Sequence, residues 1–377
     1  MHKLTETREA LGTLAYLDER TKLEQIEVEG KNTVIFHKDY ESRHLFNIEM
    51  FVRDIEKGSK GGFTVEVTRY GRVKIHELHL GKQYYRLLNG WLEHYSDLYV
   101  YSARVNVFYD VCKEHGMIGE YPFSFGEPNE LVEVEGMQYM ELFDVLVEQI
   151  HVRCQSREFK ERERLRRENA ERNKKNVLAM EDAMFSEDTG RSRWLILSLT
   201  LRYEPEFRDG ITVELLQRHR DRFFAAKRFN TLMSGIKGYV WAIEQGEKTG
   251  LHLHVVLFYS ADHNHDEFIA QKIGEYWVDS VTEGKGGYWN SNAEWRKQFY
   301  EKRGHGIGVG QINWNDAEKR DALRKNLTYL AKAEQYVMVK ETENIRTFDM
   351  GRVPKKVRAG RPRAVPGMPE SENRSVA

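Results

Sequence analysis

The sequence predicts an α+β fold, a mainly antiparallel sheet sandwiched by helices, preceded by a mixed and largely helical N-terminal region. Three observations predict it. Between residues 194 and 339, apolar runs of strand length alternate with helical periodicities in the order strand, helix, strand, strand, helix, strand, helix. Two of those strands follow one another across a short connection, which makes them antiparallel neighbours rather than members of a parallel sheet. A long charged helical pattern separates this alternation from residues 1–135.

The elements read in chain order. Thr33-Val-Ile-Phe36 is a strand by its β-branched and aromatic content. Phe63–Val67 and Arg72–Ile75 flank Thr68-Arg-Tyr-Gly71 as a hairpin. Tyr84–Tyr95 reads as helix, and Pro122 and Pro128 mark a loop. From about Met137 a helix begins, with Met140, Phe143, Val147 and Ile150 at three- and four-residue steps. It is expected to run on through Ser156–Lys175, where Arg and Lys interleave with Glu as on a solvated helix.

Ser186–Arg193 reads as a domain boundary. Beyond it, Trp194–Tyr203 is a buried strand, Val213–Met233 a helix, Tyr239–Glu244 a second strand and Leu251–Tyr259 a third. His265–Val278 is helical, and Gly284–Gly310 is glycine- and aromatic-rich and irregular. Val309–Trp314 is a fourth strand, after which Asn315-Asp316 caps a helix expected from Ala317 to about Val339. The expected organisation is an N-terminal α/β region (1–135), a charged helical connector (136–185), a second domain holding the strand–helix alternation (190–340) and a basic, flexible tail (341–377).

Composition narrows the function classes. The chain has 377 residues, 40% of them hydrophobic and 12% aromatic, enough for packed cores and too many for a disordered chain. No apolar run approaches the roughly 20 residues that span a bilayer, and the first residues lack the apolar segment of a signal peptide. Two cysteines, Cys112 and Cys154, make no disulfide framework or zinc-ribbon spacing. The expectation is a cytoplasmic protein with reduced thiols and no membrane partner. The 58 Lys and Arg nearly balance the 59 Asp and Glu, so any nucleic-acid contact must be local. No phosphate-loop motif is present.

The sharpest local feature is Leu251-His-Leu-His-Val255. On a strand, His252 and His254 share one face while Leu251, Leu253, Val255 and Leu257 share the other. Two imidazoles so placed can share a divalent ion, and they can equally be satisfied polar residues. Glu244, at the end of the preceding strand, completes a set of two histidines and a carboxylate suited to Mn²⁺ or Mg²⁺. There is a register condition. Paired residues share a face, so Glu244 must oppose an even-numbered residue such as His252. A plain loop over 245–250 would pair it with Leu251 and turn it away. A bulge at Gly246 or Gly250, or a longer loop, restores it.

The second feature is Tyr329-Leu-Ala-Lys332, continuing to Tyr336. On a helix these three polar residues fall on one face. A phenol near its usual pKa of about 10 is a poor nucleophile, and a neighbouring cation such as Lys332 favours the phenolate. A core tyrosine and a solvated lysine would give the same spacing. Tyr288, Trp289, Trp295 and Tyr300 can pack a core or stack bases. Near the C-terminus Arg358, Arg361 and Arg363 lie among prolines and glycines and suit nonspecific phosphate contacts.

His252-Leu-His254 followed by Tyr329-Leu-Ala-Lys332 resembles the HUH endonucleases, the rolling-circle replication initiators, relaxases and related transposases. Leu197-Ser-Leu-Thr200 resembles the first hydrophobic motif of the initiators. A closer resemblance spans about residues 190–363. Gly238–Glu244, Gly250–His254, Tyr276-Trp277, Gly306-Ile-Gly308, Tyr329–Lys332 and Thr347-Phe348 are similar to the inovirus replication-initiator family with its YagK/YfjJ C-terminal domain.

The resemblance implies an HUH-type catalytic domain acting on single-stranded or locally melted DNA at a replication origin, with host helicase and polymerase as partners. It implies His252, His254 and Glu244 as metal ligands, Tyr329 as nucleophile forming a 5′-phosphotyrosine, Lys332 as its helper and Tyr336 as a second tyrosine. A non-catalytic DNA-binding prophage regulator, or a transposase or relaxase of the same chemistry, are the alternatives.

Overall fold

A computed structural model describes residues 23–28, 31–36, 43–58, 61–97, 99–132, 136–189, 191–246, 249–262, 264–302, 306–332, 337–339 and 346–353. Tyr336, Arg358, Arg361 and Arg363 lie outside them.

Two hairpin strands come first, β1 (Leu23–Val28) and β2 (Lys31–Phe36). Next come α1 (Arg43–Glu56), the β3 (Phe63–Val67) and β4 (Val73–Glu77) hairpin, and the short helices α2 (His79–Tyr84) and α3 (Leu88–Glu93). The expected helix over Tyr84–Tyr95 is thus broken by a 3₁₀ turn at Tyr85–Leu87. Then follow β5 (Tyr99–Tyr101), α4 (Ala103–Glu114), α5 (Tyr139–Gln155) and α6 (Arg157–Met184). The helix expected to run unbroken from Met137 into the charged stretch instead stops at Ser156. That residue is extended (ψ 148°), and its hydroxyl caps the next helix by accepting from the Phe159 N–H. A serine that can bond the backbone outside a helix makes the break.

The chain divides into two compact units: an N-terminal one of residues 1–19, 37–171 and 333–343, which includes β5 and the later strand at 337–339, and a second of residues 20–36, 172–332 and 344–377. The N-terminal unit packs α1, α4 and α5 together. Its centre is aromatic, with Phe51 against Trp91, Phe108 and Phe143. Cys112 and Cys154 are free and buried there, and burial pushes the Cys154 thiol up to about 12.

The second unit is built on β6 (Arg193–Tyr203), α7 (Val213–Ala225), α8 (Thr231–Ser234), β7 (Ile236–Gly246), β8 (Gly250–Tyr259) and α9 (Asp266–Tyr276). It continues with β9 (Gly286–Asn290), α10 (Glu294–Lys302), β10 (Gly310–Asn313) and α11 (Ala317–Lys332). Gly284–Gly310 is therefore not irregular. It holds a strand and a helix, too short for periodicity to reveal. After α11, β11 (Val337–Val339) pairs with β5 in the N-terminal unit, and β12 (Phe348–Met350) returns to the sheet. The helix expected to reach Val339 ends at Lys332, because Val337–Val339 takes up strand pairing instead.

The six-stranded sheet has the order β10-β6-β8-β7-β12, with β9 also on β6, and every pairing is antiparallel. The α+β, mainly antiparallel fold is the one the sequence predicts. Odd-numbered residues of β6 and β8 pack one core with α7 and α9: Leu197, Leu199, Leu253 and Val255 meet Leu216, Phe223, Ile273 and Trp277. Even-numbered residues face the other way, where α6 and α11 lie. Phe258 of β8 meets Phe185, and a side chain at Gly238 of β7 would touch Met180 and Met184 of α6. Arg320 and Arg324 of α11 clasp Glu181 of α6, which is wholly buried. Asp316 caps α11 by accepting from the Lys319 N–H. Among the described residues no helix is long and apolar enough to cross a membrane.

Candidate metal centre

The β7–β8 hairpin decides where Glu244 points. The ladder pairs Ala242 with His254, Glu244 with His252, Gln245 with Leu251 and Gly246 with Gly250. The register condition is met, and not by a bulge at the loop. Both strands run on into the connection, leaving only residues 247–249 between them. Gly250 closes it at φ +67°, a conformation costly for a residue with a Cβ. The one irregularity of this ladder lies at its far end, between Ile236 and Gly238.

Glu244, His252 and His254 are buried on the even-numbered face. One ligand atom from each lies within 4.8 Å of the others, forming a possible three-residue metal cluster. His254 Nε2 is 2.9 Å from Glu244 Oε2 and His252 Nε2 is 4.0 Å from it. The two imidazole planes stand at 89° with centroids 4.8 Å apart. Ligands bound at about 2.1 Å to one ion sit roughly 3 to 3.5 Å from each other, so the spacing fits a shared ion with small adjustment.

The outer contacts fix the rings. His252 Nδ1 lies 2.8 Å from the Gly250 carbonyl. A carbonyl only accepts, so Nδ1 carries the proton and Nε2 presents its lone pair inward. His254 Nδ1 lies 2.9 Å from Thr200 Oγ1 on β6. The hydroxyl accepts or donates, so it supports His254 with either nitrogen protonated. Thr200 appears in sequence reasoning only as part of a hydrophobic motif. The signal that finds its role is alternation: Thr200 is even-numbered and sits directly opposite His254.

Tyr329 and Lys332 are in the last turn of α11, three residues apart on one side. Tyr329 is part-exposed and Lys332 is buried. The helix contacts β7, the strand of Glu244, and shares none of the odd-face core. It therefore covers the sheet face that carries the triad. The Gly306-Ile-Gly308 segment seats it. A Cβ at Gly308 would fall 2.7 Å from the Leu323 backbone nitrogen, so only glycine allows that approach. Thr347-Phe348 line the other edge of β7, where the Thr347 carbonyl accepts from Ile243 N–H at 2.7 Å and Phe348 pairs with Ala242. Trp277 is structural, its indole Nε1 donating to the Arg202 carbonyl at 2.9 Å on the odd face.

Residues 212–349 match the family model of the YagK/YfjJ C-terminal domain. No curated protein and no solved structure matches the chain. The matched span runs from the cap of α7 into β12. It contains Glu244, His252, His254, Tyr329 and Lys332, and leaves out Thr200.

Proposed function

We propose that this chain is a metal-dependent DNA strand-transfer enzyme of the HUH type that initiates rolling-circle replication of a filamentous phage or prophage. The observation that carries the reading is the β7–β8 register, which turns Glu244 onto the face of His252 and His254, the face α11 also covers. The YagK/YfjJ match over the same elements supports the prophage setting.

Reach supports Tyr329 as the attacking group. The start of α11 is tied through Arg320 to Glu181, close to where α6 meets Gly238. From Arg320 to Tyr329 is about 14 Å of helix. From Gly238 to Glu244 is about 20 Å of strand. A helix following β7 brings Tyr329 toward the carboxylate end.

In the proposed reaction His252, His254 and Glu244 hold a divalent ion, Mn²⁺ or Mg²⁺. Bound there, the ion would withdraw charge from a phosphodiester oxygen. Tyr329 Oη attacks the phosphorus of single-stranded DNA as the P–O3′ bond breaks. The phenol gives up its proton and the departing 3′-oxygen takes one up, so a phosphodiester is exchanged for a 5′-phosphotyrosine and a 3′-hydroxyl. Reversal onto a second 3′-hydroxyl rejoins the strand. Lys332, one turn from Tyr329, offsets the negative charge gathering on phenolate and phosphate. Burial of the triad excludes competing water.

The test is a denaturing gel of protein mixed with labelled single-stranded DNA from the flanking element, with Mn²⁺ or with chelator. A metal-dependent adduct is expected from the wild type, and none from Tyr329→Phe, whose DNA binding stays within a few-fold. An adduct from Tyr329→Phe would assign the nucleophile elsewhere. Tight binding to many sequences with no adduct would favour a regulator.

A further inference from the structure

A second feature lies on the same face of the sheet. Trp289 of β9 pairs with Thr200 of β6, and Thr200 pairs with His254 of β8. Cross-strand partners share a face, so Trp289, Thr200 and His254 form one lateral row on the triad's side. Tyr288, the neighbour of Trp289, packs into the opposite core, as alternation requires. Two strand spacings separate Trp289 from His254, about 10 Å.

Trp289 is buried, but it does not stand alone. The indole of Trp295, at the start of α10, meets it edge-on with centroids 5.7 Å apart and planes at 78°. Arg296 lies against both rings, its guanidinium carbon 4.8 Å from the centroid of Trp289 and 5.6 Å from that of Trp295. Arg296 is 4% exposed and Trp295 is 49% exposed. One indole is thus locked beneath, and the other presents itself to solvent.

The turn between β9 and α10 that sets this geometry is pinned. Asn292, wholly buried, accepts from Ser198 N–H at 2.8 Å and donates to the Ile196 carbonyl at 2.9 Å and to Asp266 at 2.7 Å. Lys297 closes the cluster on Asp266 at 2.9 Å. A half-exposed tryptophan held this firmly loses little freedom on binding a flat partner.

We infer that Trp295, backed by Arg296 and Trp289, is a stacking platform for an unpaired base of single-stranded DNA, a few nucleotides from the phosphate that the triad holds. The inference rests on the strand-transfer reading for its substrate. An indole beside a guanidinium offers the π-face and cationic environment that unpaired bases take up without regard to sequence. Trp289, beneath the platform, lies about 10 Å from His254, on the order of three stacked nucleotide steps of about 3.4 Å, with Trp295 5.7 Å from it. Bases inside a duplex are already stacked, so the platform selects single strands.

The test uses the full chain and a labelled single-stranded oligonucleotide in chelator, so that binding is read apart from chemistry. Trp295→Ala is expected to weaken single-strand binding by about 5- to 150-fold, the range for one lost stacked base. Trp295→Phe is expected to restore most of it. Duplex binding and melting temperature are expected to stay at the wild-type level. Unchanged single-strand affinity in Trp295→Ala overturns the platform, whatever the adduct assay gives. An equal loss on single strand and duplex overturns it too. A selective loss in a protein that forms no adduct with Mn²⁺ keeps the platform and removes the strand-transfer reading instead.

Discussion

The two units bury charge in opposite ways. In the N-terminal unit the buried Arg104 of α4 reaches Glu49 at 2.9 Å, Glu56 at 2.8 Å and Glu163 at 2.6 Å, while Ser102 donates to Glu49 at 2.5 Å. The carboxylates meet a cation that the chain itself provides, and the result is a structural joint between α1, α4 and α6. In the sheet unit, one carboxylate and two imidazoles converge on each other, with Nδ1 of each ring engaged outward. Those groups are of the kind that can hold a metal ion together. Buried polar clusters are common, so burial alone marks no site. What separates the two here is which chemical groups converge.

The contrast can be broken by substitution. Arg104→Ala has the largest expected effect, because it takes the shared cation from the buried Glu49 and the part-buried Glu56 and Glu163. A loss of about 3–5 kcal/mol is expected by denaturant titration. Divalent-metal affinity of the protein that remains folded should not change, and a parallel fall would show that the two clusters are not separate.

His254→Ala comes next. With Mn²⁺ at about 100 times its dissociation constant, binding stabilises the wild type by about 2.7 kcal/mol, read as a rise in melting temperature. The variant is expected to lose that rise. Retaining it would place the metal elsewhere. Thr200→Val sharpens the picture, since it keeps all three ligands and removes only the hydroxyl behind His254. A 10- to 100-fold loss of metal affinity by calorimetry is expected. No loss would make Thr200 a packing residue.

The smallest effect concerns pH. His219 lies 2.8 Å from the Tyr203 hydroxyl on the odd face. Burial, helped by Arg222 and Arg218, holds its imidazole below the ordinary 6.5. The folded protein therefore refuses a proton that the unfolded chain accepts. Stability is intact above about pH 6.5 and falls as pH drops below it. His219→Gln should flatten that fall in thermal melts. An unchanged slope would mean that other groups carry it.

Much of the sheet was legible because β6 and β8 are long and apolar, and the odd-even split of Leu251–His254 foretold both faces. The Asp316 cap was legible for a local reason, a side chain that bonds its own helix. Register was legible only as a condition. Whether Glu244 faces His252 depends on how far two strands zip toward a turn, and loop composition does not encode that. The break at Ser156 was not legible because helical periodicity continues on both sides of it, apolar before and charged after. The end of α11 was misjudged because Val337–Val339 finds its strand partner over two hundred residues away, in β5. Arg296 went unnoticed between Trp289 and Trp295, since nothing in a sequence says which cation lies between two rings.

The central claim is that Tyr329 is the group that joins DNA, and trypsin tests it directly. Cleavage after Lys325, Lys332 and Lys340 puts Tyr329 in the peptide Asn326–Lys332 and Tyr336 in the next one. Mass spectrometry of the nuclease-trimmed, Mn²⁺-dependent adduct should find the nucleotide on Asn326–Lys332. A nucleotide on the Tyr336 peptide, or on any other tyrosine, would contradict the account.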